Sequence, residues 1–232
     1  MILKLLNSLI DLFYPKVCLL CKKSLVKGEE HLCIECLCDL PKTNFHKNKE
    51  NPVKRLFAGY NNIVDVSSFL FFEKEGATQA LVHSIKYYGN KNLARYAGRL
   101  AALELYPSGI YSSIDVIIAI PLHRKKEKQR GFNQSEYISL GIADVYNKII
   151  DHQSVIRTIY TKSQTKKTIY ERHINVENIF KVVDIKSLAG KHILVVDDVI
   201  TTGATTLACI EALSVIPEIK ISVFSLAIAG GL

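Results

Sequence analysis

The segment ILVVDDVITTGATT, residues 193–206, constrains the fold more than any other stretch of this chain. Its run of branched apolar residues predicts a buried strand, and the residues after the turn favour a helix. In a doubly wound sheet, ligands bind beyond the carboxyl ends of the strands, which is where Asp197 and Asp198 fall. We therefore expect a strand, turn and helix that present two carboxylates to a ligand.

The turn in the same segment predicts a phosphate site. The hydroxyl groups of Thr201 and Thr202, the backbone N–H groups around Gly203 and the positive end of the next helix can together hold a phosphate. Carboxylates beside a phosphate repel it unless they face a neutral or cationic group, and ribose hydroxyls or Mg²⁺ meet that condition. The segment therefore indicates a ribose 5-phosphate with its diol on the two aspartates.

This segment has other interpretations. A receiver domain also carries ILVVDD, but at its beginning, whereas only 34 residues follow Asp198 here. A P-loop requires Gly-Lys-Ser/Thr and a dinucleotide fingerprint requires Gly-x-Gly-x-x-Gly, and the sequence contains neither. The remaining alternative is a strand, turn and helix with exposed acids and no ligand.

Short Val/Ile-rich runs alternate with helical patterns along the rest of the chain, which predicts an α/β fold with a mostly parallel sheet covered on both faces. With 232 residues and 48% hydrophobic content, the chain can bury one core and still carry a small additional module. Strands are predicted over residues 64–72, 114–122, 154–160, 191–198 and 220–229, and helices over residues 75–88, 90–106, 133–150 and 204–215.

Five of the six cysteines lie close together, and their spacing predicts a zinc ribbon. Cys18 and Cys21 form one C-x2-C pair, and Cys33 and Cys36 form a second pair eleven residues later. Each pair delivers two thiolates to one tetrahedral ion, so a structural Zn²⁺ is expected. A disulfide pair is the alternative, and Cys38 is an alternative fourth ligand. The sixth cysteine is expected to be a buried apolar residue.

The first fifteen residues show apolar positions at helical spacing with a polar stripe, which predicts an amphipathic helix that docks on the body of the protein. The stretch is too short and too charged to span a bilayer and has no cleavage site, so a cytoplasmic location is expected, with membrane contact at most peripheral. We predict a cysteine module over residues 1–45 and a main domain over residues 46–232.

The formal charge of +8 favours polyanionic partners. Five Lys and Arg residues crowd residues 124–130, a pattern typical of a solvated, mobile loop. Arg124 and Arg130 suit a diphosphate, and Phe132 either stacks on a base or packs as an apolar residue. The basic residues that could form a groove for single-stranded DNA, with Tyr160 or Tyr170 offering a stacking face, are Lys125, Lys126, Lys128, Arg130, Lys162, Lys166, Lys167 and Arg172.

Residues 193–205 resemble, without departure, the phosphoribosyl pyrophosphate signature of type I phosphoribosyltransferases. Together with IPLHRKKEKQRGFNQSE, IKYYGNKNLARYAGRLA, the cysteine pairs and a spread pattern at Arg157, Gln164, Arg172, Asn175 and Phe180, this gives a resemblance to the ComF family of competence proteins over residues 12–229. The resemblance implies a type I phosphoribosyltransferase fold, a cytoplasmic zinc-bearing protein, and a link to natural transformation and single-stranded DNA.

The resemblance also implies a ligand and its contacts. Asp197 and Asp198 would hold the ribose hydroxyls of phosphoribosyl pyrophosphate, and Mg²⁺ would be held mainly by the ligand and water. The residues implied for the 5-phosphate are Thr201, Thr202, Gly203, Ala204 and Thr205, and those implied for the pyrophosphate are Pro121, Leu122, His123 and Arg124. The chemistry would be displacement of pyrophosphate at the anomeric carbon by an acceptor nitrogen.

Two functions remain open at this point. One is a competence protein that handles single-stranded DNA, carries a phosphoribosyl pyrophosphate site and has a protein partner in the competence machinery. The other is an active phosphoribosyltransferase of small-molecule metabolism with no DNA role. No general base stands out, so no catalytic residue is predicted. Residues 53–88, where an acceptor would be covered, offer His83 and Lys86 but no recognisable base pocket.

Overall fold

The computed structural model describes residues 15–158 and 179–230. The predicted N-terminal helix, the stacking candidates Tyr160 and Tyr170, and the basic residues Lys162, Lys166, Lys167 and Arg172 lie outside the described residues. The helices, in chain order, are α1 Ile34–Cys38, α2 Pro52–Arg55, α3 Ala77–Tyr87, α4 Lys91–Leu105, α5 Arg124–Arg130, α6 Gln134–Tyr146 and α7 Ala204–Leu213. The strands are β1 Ile63–Phe72, β2 Val116–Ala119, β3 Ile149–Ile150, β4 Val155–Arg157, β5 Phe180–Val182, β6 His192–Ile200 and β7 Lys220–Ala229.

The main sheet has five strands in the order β1-β7-β6-β2-β3, and every pairing in it is parallel. Ala119 of β2 lies opposite Val196 of β6, and Ile200 of β6 lies opposite Ile228 of β7. The carboxyl ends of these strands therefore meet at one edge of the sheet, which we call the carboxyl edge. The predicted fold class, a mostly parallel sheet flanked by helices, is confirmed.

Strand β6 alternates between two buried clusters, which explains its unbroken apolar sequence. Leu194 and Val196 pack on the face covered by α4 and α6, whereas Ile193 and Val195 pack on the face covered by α7. Burial on both faces is typical of a central strand of a parallel sheet. Asp197 and Asp198 follow this apolar run in β6, so they lie at the carboxyl edge, where the core ends.

Helices α4 and α6 cross at two glycines. A Cβ atom at Gly98 would lie 2.1 Å from the carbonyl oxygen of Ile138, and one at Gly141 would lie 2.0 Å from that of Arg95. A side chain at either glycine would therefore push the helices apart. This close contact holds the amino end of α6, where Asn133 caps the helix and donates through Nδ2 to the carbonyl oxygen of Ile120 at 3.0 Å.

The cysteine module packs directly on the main domain. Cys18, Leu32 and Cys33 belong to the same buried cluster as Leu70 of β1 and the inner faces of α4 and α6. Lys42 forms an isolated antiparallel bridge with Leu70, so the chain leaving the module is tied to the edge of the sheet. A module boundary near residue 45 stays a prediction.

Two local predictions were wrong, and one strand was not predicted. Residues 124–130 form helix α5 instead of a loop, because the Nδ1 atom of His123 caps its first turn and Gly131 ends it at a positive φ. Residues 149–150 form β3 instead of extending α6, because Asn147 adopts a left-handed conformation. Strand β5 was not predicted; it pairs antiparallel with β4, and that pairing joins residues distant in sequence.

Across the described ranges, the helices are too short or too polar to cross a membrane.

Candidate functional site

The carboxyl edge brings together two segments that lie far apart in the sequence. Asp197 and Asp198 lie near the end of β6, and the backbone N–H of Ile120, just after β2, donates to the carbonyl oxygen of Val196 at 2.9 Å. Because β2 and β6 are parallel neighbours, the residues after β2, Leu122 and His123, leave the sheet at the same edge as the two carboxylates.

Asp197 is the more enclosed of the two acids. Its Oδ1 accepts a hydrogen bond from the backbone N–H of Asp198 at 2.8 Å, and its Oδ2 accepts one from the Thr206 hydroxyl of α7 at 3.1 Å. Burial, reinforced by the neighbouring Asp198 charge, raises the pKa of Asp197 to about 6. The carboxylate is thus held in a fixed orientation and carries a charge at neutral pH that its surroundings only partly compensate.

Asp198 faces two cations. Its Oδ2 lies 2.9 Å from Nζ of Lys86, and 4.0 Å from Nη1 of Arg130. The Lys86 and Asp198 side chains are only 18% and 15% exposed, so their ion pair is screened less than a surface pair. Arg130 is oriented by a second contact, since Nη1 also donates to Oε1 of Gln134 at 2.7 Å.

Two further cations complete this environment. Burial lowers the pKa of Lys126, and repulsion from Arg157, Arg130 and Lys86 adds to the effect. Burial also lowers the pKa of Arg157, although the Asp197 charge opposes that effect. Cations thus surround the two carboxylates, an arrangement that suits a ligand with negative charge of its own.

The turn after β6 presents hydroxyl groups to solvent. Thr201, Thr202 and Thr205 are exposed, and Gly203 adopts a φ of 76° at the amino end of α7. No side chain caps this helix, so the N–H groups of its first turn, which begins at Ala204, are available to a ligand. The five residues predicted to hold a phosphate therefore surround the positive end of a ten-residue helix.

Helix α5 separates the basic residues that the sequence analysis grouped together. Lys126 and Arg130 lie one helical turn apart and are half-buried near Asp198, whereas Arg124, Lys125 and Lys128 are exposed. The structure thus divides α5 into an inner face beside the carboxylates and an outer face toward solvent. The side chain of His123 caps α5 by accepting from the backbone N–H of Lys125 at 3.2 Å.

The role of Lys86 beside Asp198 is visible only in the folded chain. Nothing in the local pattern of α3 marks this lysine, because its contact with Asp198 joins residues more than one hundred positions apart. The only signal available was its place in the segment IKYYGNKNLARYAGRLA, one of those that carry the family resemblance. Phe132, considered as a base-stacking residue, is 4% exposed and packs edge-on against Tyr137.

The four cysteines of the two C-x2-C pairs meet in space. The sulfur atoms of Cys18, Cys21, Cys33 and Cys36 all lie within 4.8 Å of one another, close enough to hold one metal ion. Tetrahedral Zn–S bonds would place sulfur atoms roughly 3.8 Å apart. Burial opposes ionisation of Cys18, but backbone N–H donors, that of Cys33 first among them, lower the pKa of this thiol to about 6.

The other two cysteines lie apart from this cluster. Cys38 is exposed and does not belong to the group of four. Cys209 is fully buried in α7, as expected for a small apolar residue, and burial raises its pKa to about 12.

Comparison with known proteins found relatives named for DNA utilization and for competence. The DNA utilization protein YhgH of Escherichia coli is 27% identical, over 82% of this chain and 87% of that protein. The competence protein ComFC of Bacillus subtilis is 25% identical, over 82% of this chain and 74% of its own, and competence protein F of Haemophilus influenzae is 30% identical over 39% of this chain and 40% of its own. No model of a known protein family matches the chain.

Two solved structures are distantly similar in fold. They are the allosteric regulatory enzyme of purine biosynthesis, and glutamine phosphoribosylpyrophosphate amidotransferase from B. subtilis in complex with ADP and GMP. Each is 15% identical with a TM-score of 0.40, over 61% of this chain and 30% of theirs.

Proposed function

We propose that this chain, a homologue of the competence proteins ComFC and YhgH, binds phosphoribosyl pyrophosphate with Mg²⁺ at the carboxyl edge and acts in the handling of single-stranded DNA. The observation that carries the proposal is the pairing of Asp197 and Asp198 with an uncapped, hydroxyl-lined helix start at residues 201–205. Few ligands require a carboxylate pair and a phosphate cradle side by side, and a ribose 5-phosphate does.

The three parts of the ligand would each meet a different part of the site. The 5-phosphate would accept from the N–H groups at the start of α7 and from Thr201 and Thr205. The ribose diol would donate to Asp197 and Asp198. The diphosphate would lie toward Leu122, His123 and Arg124, where the inner cations of α5 supply positive charge.

The ion pair between Lys86 and Asp198 fits this assignment. A ribose hydroxyl that donates to Oδ2 of Asp198 would take the position that Nζ of Lys86 now holds at 2.9 Å. Lys86 would then be available to the diphosphate, so the site would exchange one set of charge pairs for another. This exchange keeps the buried charges compensated in both states.

Mg²⁺ would be held mainly by the ligand and by water, since this ion keeps most of its hydration shell in proteins. When bound, it neutralises charge on the departing pyrophosphate. Asp198 and Asp197 would orient the complex, and Lys86, Lys126 and Arg130 would stabilise the negative charge that develops as the anomeric carbon loses its leaving group. Transferase turnover with an acceptor nitrogen is part of this proposal.

The cysteine cluster would hold a structural Zn²⁺. Four thiolates fill a tetrahedral ion and leave no open position for catalysis. Cys18 and Cys33 belong to the buried cluster shared with β1 and α4, so the ion would fix the module against the main domain. The module would then serve as a surface for DNA or for a protein of the competence machinery, and we propose a cytoplasmic location.

Calorimetry with phosphoribosyl pyrophosphate, with and without Mg²⁺, tests the proposed ligand. Wild-type protein should bind one ligand per chain in a magnesium-dependent manner, and the double variant Asp197→Asn, Asp198→Asn should lose binding while keeping its circular dichroism spectrum. Equal affinity in the double variant would refute the placement of the ribose. A screen for pyrophosphate release across bases and amines then tests turnover.

The alternative function is a phosphoribosyltransferase of small-molecule metabolism with no DNA role. Both functions use the same phosphoribosyl pyrophosphate site. The two functions differ in a single property, because a small-molecule enzyme should show no affinity for single-stranded DNA at physiological salt. The name of the Escherichia coli relative, DNA utilization protein, favours the DNA role.

A further inference from the structure

Gln134, the first residue of α6, is a buried amide with a hydrogen bond at each end. The residue is 1% exposed. Its Nε2 donates to the backbone carbonyl oxygen of Phe132 at 3.1 Å, and its Oε1 accepts from Nη1 of Arg130 at 2.7 Å. If the amide were turned over, its N–H donors would meet the donors of the guanidinium. The bond to Phe132 therefore fixes Gln134 with its oxygen toward Arg130.

The residues next to Gln134 in the chain are anchored to the core. Phe132 is 4% exposed and packs edge-on against Tyr137. Asn133 caps α6 and donates through Nδ2 to the carbonyl oxygen of Ile120, just after β2, at 3.0 Å. Because β2 ends at the carboxyl edge, this contact ties the start of α6 to the same edge. Gln134 thus holds Arg130 from a rigid part of the fold.

The bond to Gln134 sets the position of Arg130 without neutralising its charge. The Arg130 side chain is 22% exposed, and its Nη1 lies 4.0 Å from Oδ2 of Asp198. That carboxylate oxygen already lies 2.9 Å from Nζ of Lys86. A neutral amide accepts a hydrogen bond from the guanidinium and leaves its positive charge in place, whereas a carboxylate at position 134 would form an ion pair with it. Arg130 therefore keeps a positive charge at the carboxyl edge in a fixed position.

We propose that Gln134 is a positioning residue that holds Arg130 toward the diphosphate of phosphoribosyl pyrophosphate. This inference rests on the proposed function, and it names a residue that determines how tightly the site holds one part of that ligand. Gln134 acts through Arg130, so its effect is confined to ligands that carry the diphosphate. Ribose 5-phosphate lacks that group and meets only the aspartates and the start of α7.

Two substitutions of similar size test the proposal by calorimetry with phosphoribosyl pyrophosphate and Mg²⁺. Gln134→Glu should weaken binding roughly tenfold or more, because the new carboxylate compensates the charge of Arg130. Gln134→Met should weaken it about threefold to fivefold, because Arg130 loses the acceptor that orients it. Gln129→Glu is the matched control, since it adds the same charge at an exposed position of α5 and should leave the affinity unchanged. Wild-type affinity in both Gln134 variants would overturn the proposal.

Ribose 5-phosphate separates positioning from a general effect on the site. Wild-type protein and both Gln134 variants should bind it equally, which also shows that the variants keep their fold. If the variants lose ribose 5-phosphate as much as phosphoribosyl pyrophosphate, Gln134 supports the whole site and the proposal is wrong. If wild-type protein binds no phosphoribosyl pyrophosphate, the proposed function fails together with this inference, whereas binding that is unchanged in the variants sinks the inference alone.

A double-mutant cycle shows whether Gln134 acts through Arg130. Arg130→Met should itself weaken binding of phosphoribosyl pyrophosphate about tenfold, because one charge-assisted contact is lost. When Gln134→Met is added to that variant, the affinity should not fall further, since the group that Gln134 orients is already absent. Losses that add in the double variant would show that Gln134 acts independently of Arg130, and they would contradict the positioning role.

Discussion

Replacing Asp197 by asparagine should make the protein more stable and less able to bind its ligand. The Asp197 carboxylate is buried, and its charge is disfavoured by burial and by Asp198, which together raise its pKa from an ordinary 3.8 to about 6. Asparagine can keep both hydrogen bonds, since its oxygen can accept from the backbone N–H of Asp198 and its amide can donate to Thr206.

The size of the effect follows from the pKa. An acid whose pKa rises on folding binds a proton more tightly in the folded state, so stability declines as the pH rises from about 4 to about 6 and the full penalty applies above that range. At about 1.36 kcal/mol per pKa unit, the free energy of unfolding of Asp197→Asn should exceed that of wild type by on the order of 2 to 3 kcal/mol at pH 7.5. At pH 4.5 the gain should shrink to roughly 1 kcal/mol.

Urea denaturation at these two pH values measures the difference. Asp198→Asn is the matched control, because Asp198 already lies against Lys86 and Arg130, and its neutralisation removes their partner. We expect no gain in stability from that change. A stability gain for Asp197→Asn that is equal at pH 7.5 and 4.5, or no gain at pH 7.5, would refute the reasoning from burial.

Further predictions concern the cations, the metal and the DNA surface. Lys86→Met should bind phosphoribosyl pyrophosphate about tenfold more weakly by calorimetry, because one charge-assisted contact is lost; unchanged affinity would exclude Lys86 from the site. Purified protein should contain one zinc per chain by elemental analysis. The variant Cys18→Ser should lose the zinc and unfold more easily, whereas Cys38→Ser should keep it. Zinc retained by a variant lacking both Cys18 and Cys33 would refute the zinc assignment. Lys125→Ala with Lys128→Ala should flatten the log-log salt dependence of single-stranded DNA binding by about one unit or more, at roughly 0.7 per phosphate; an unchanged slope would move the DNA site to another surface.

The architecture was predictable because it depends on local patterns. The apolar run of β6 between polar segments marks a central strand, and its alternation between the two faces of the sheet needs no knowledge of other residues. The spacing of the two C-x2-C pairs likewise predicts that they meet, and the structure brings their sulfur atoms together. Strand β5 escaped prediction because three residues leave too short a pattern to recognise.

The charge pattern of the site was not predictable in the same way. Lys86 becomes a partner of Asp198 only when α3 comes to lie beside the end of β6, and no local signal in α3 reports that contact. The basic run at residues 124–130 suggested a loop by its composition, and the cap from His123 makes it a helix with distinct inner and outer faces. This helical geometry places Lys126 on the inner face of α5 and Lys128 on its outer face.

A crystal structure of the protein with phosphoribosyl pyrophosphate and Mg²⁺ tests the central claim most directly. The 5-phosphate should lie at the start of α7 between Thr201 and Thr205, the ribose hydroxyls should lie on Asp197 and Asp198, and Nζ of Lys86 should have left Asp198 for the diphosphate. A ligand bound away from the carboxyl edge, or bound there with its ribose turned away from both aspartates, would contradict the account.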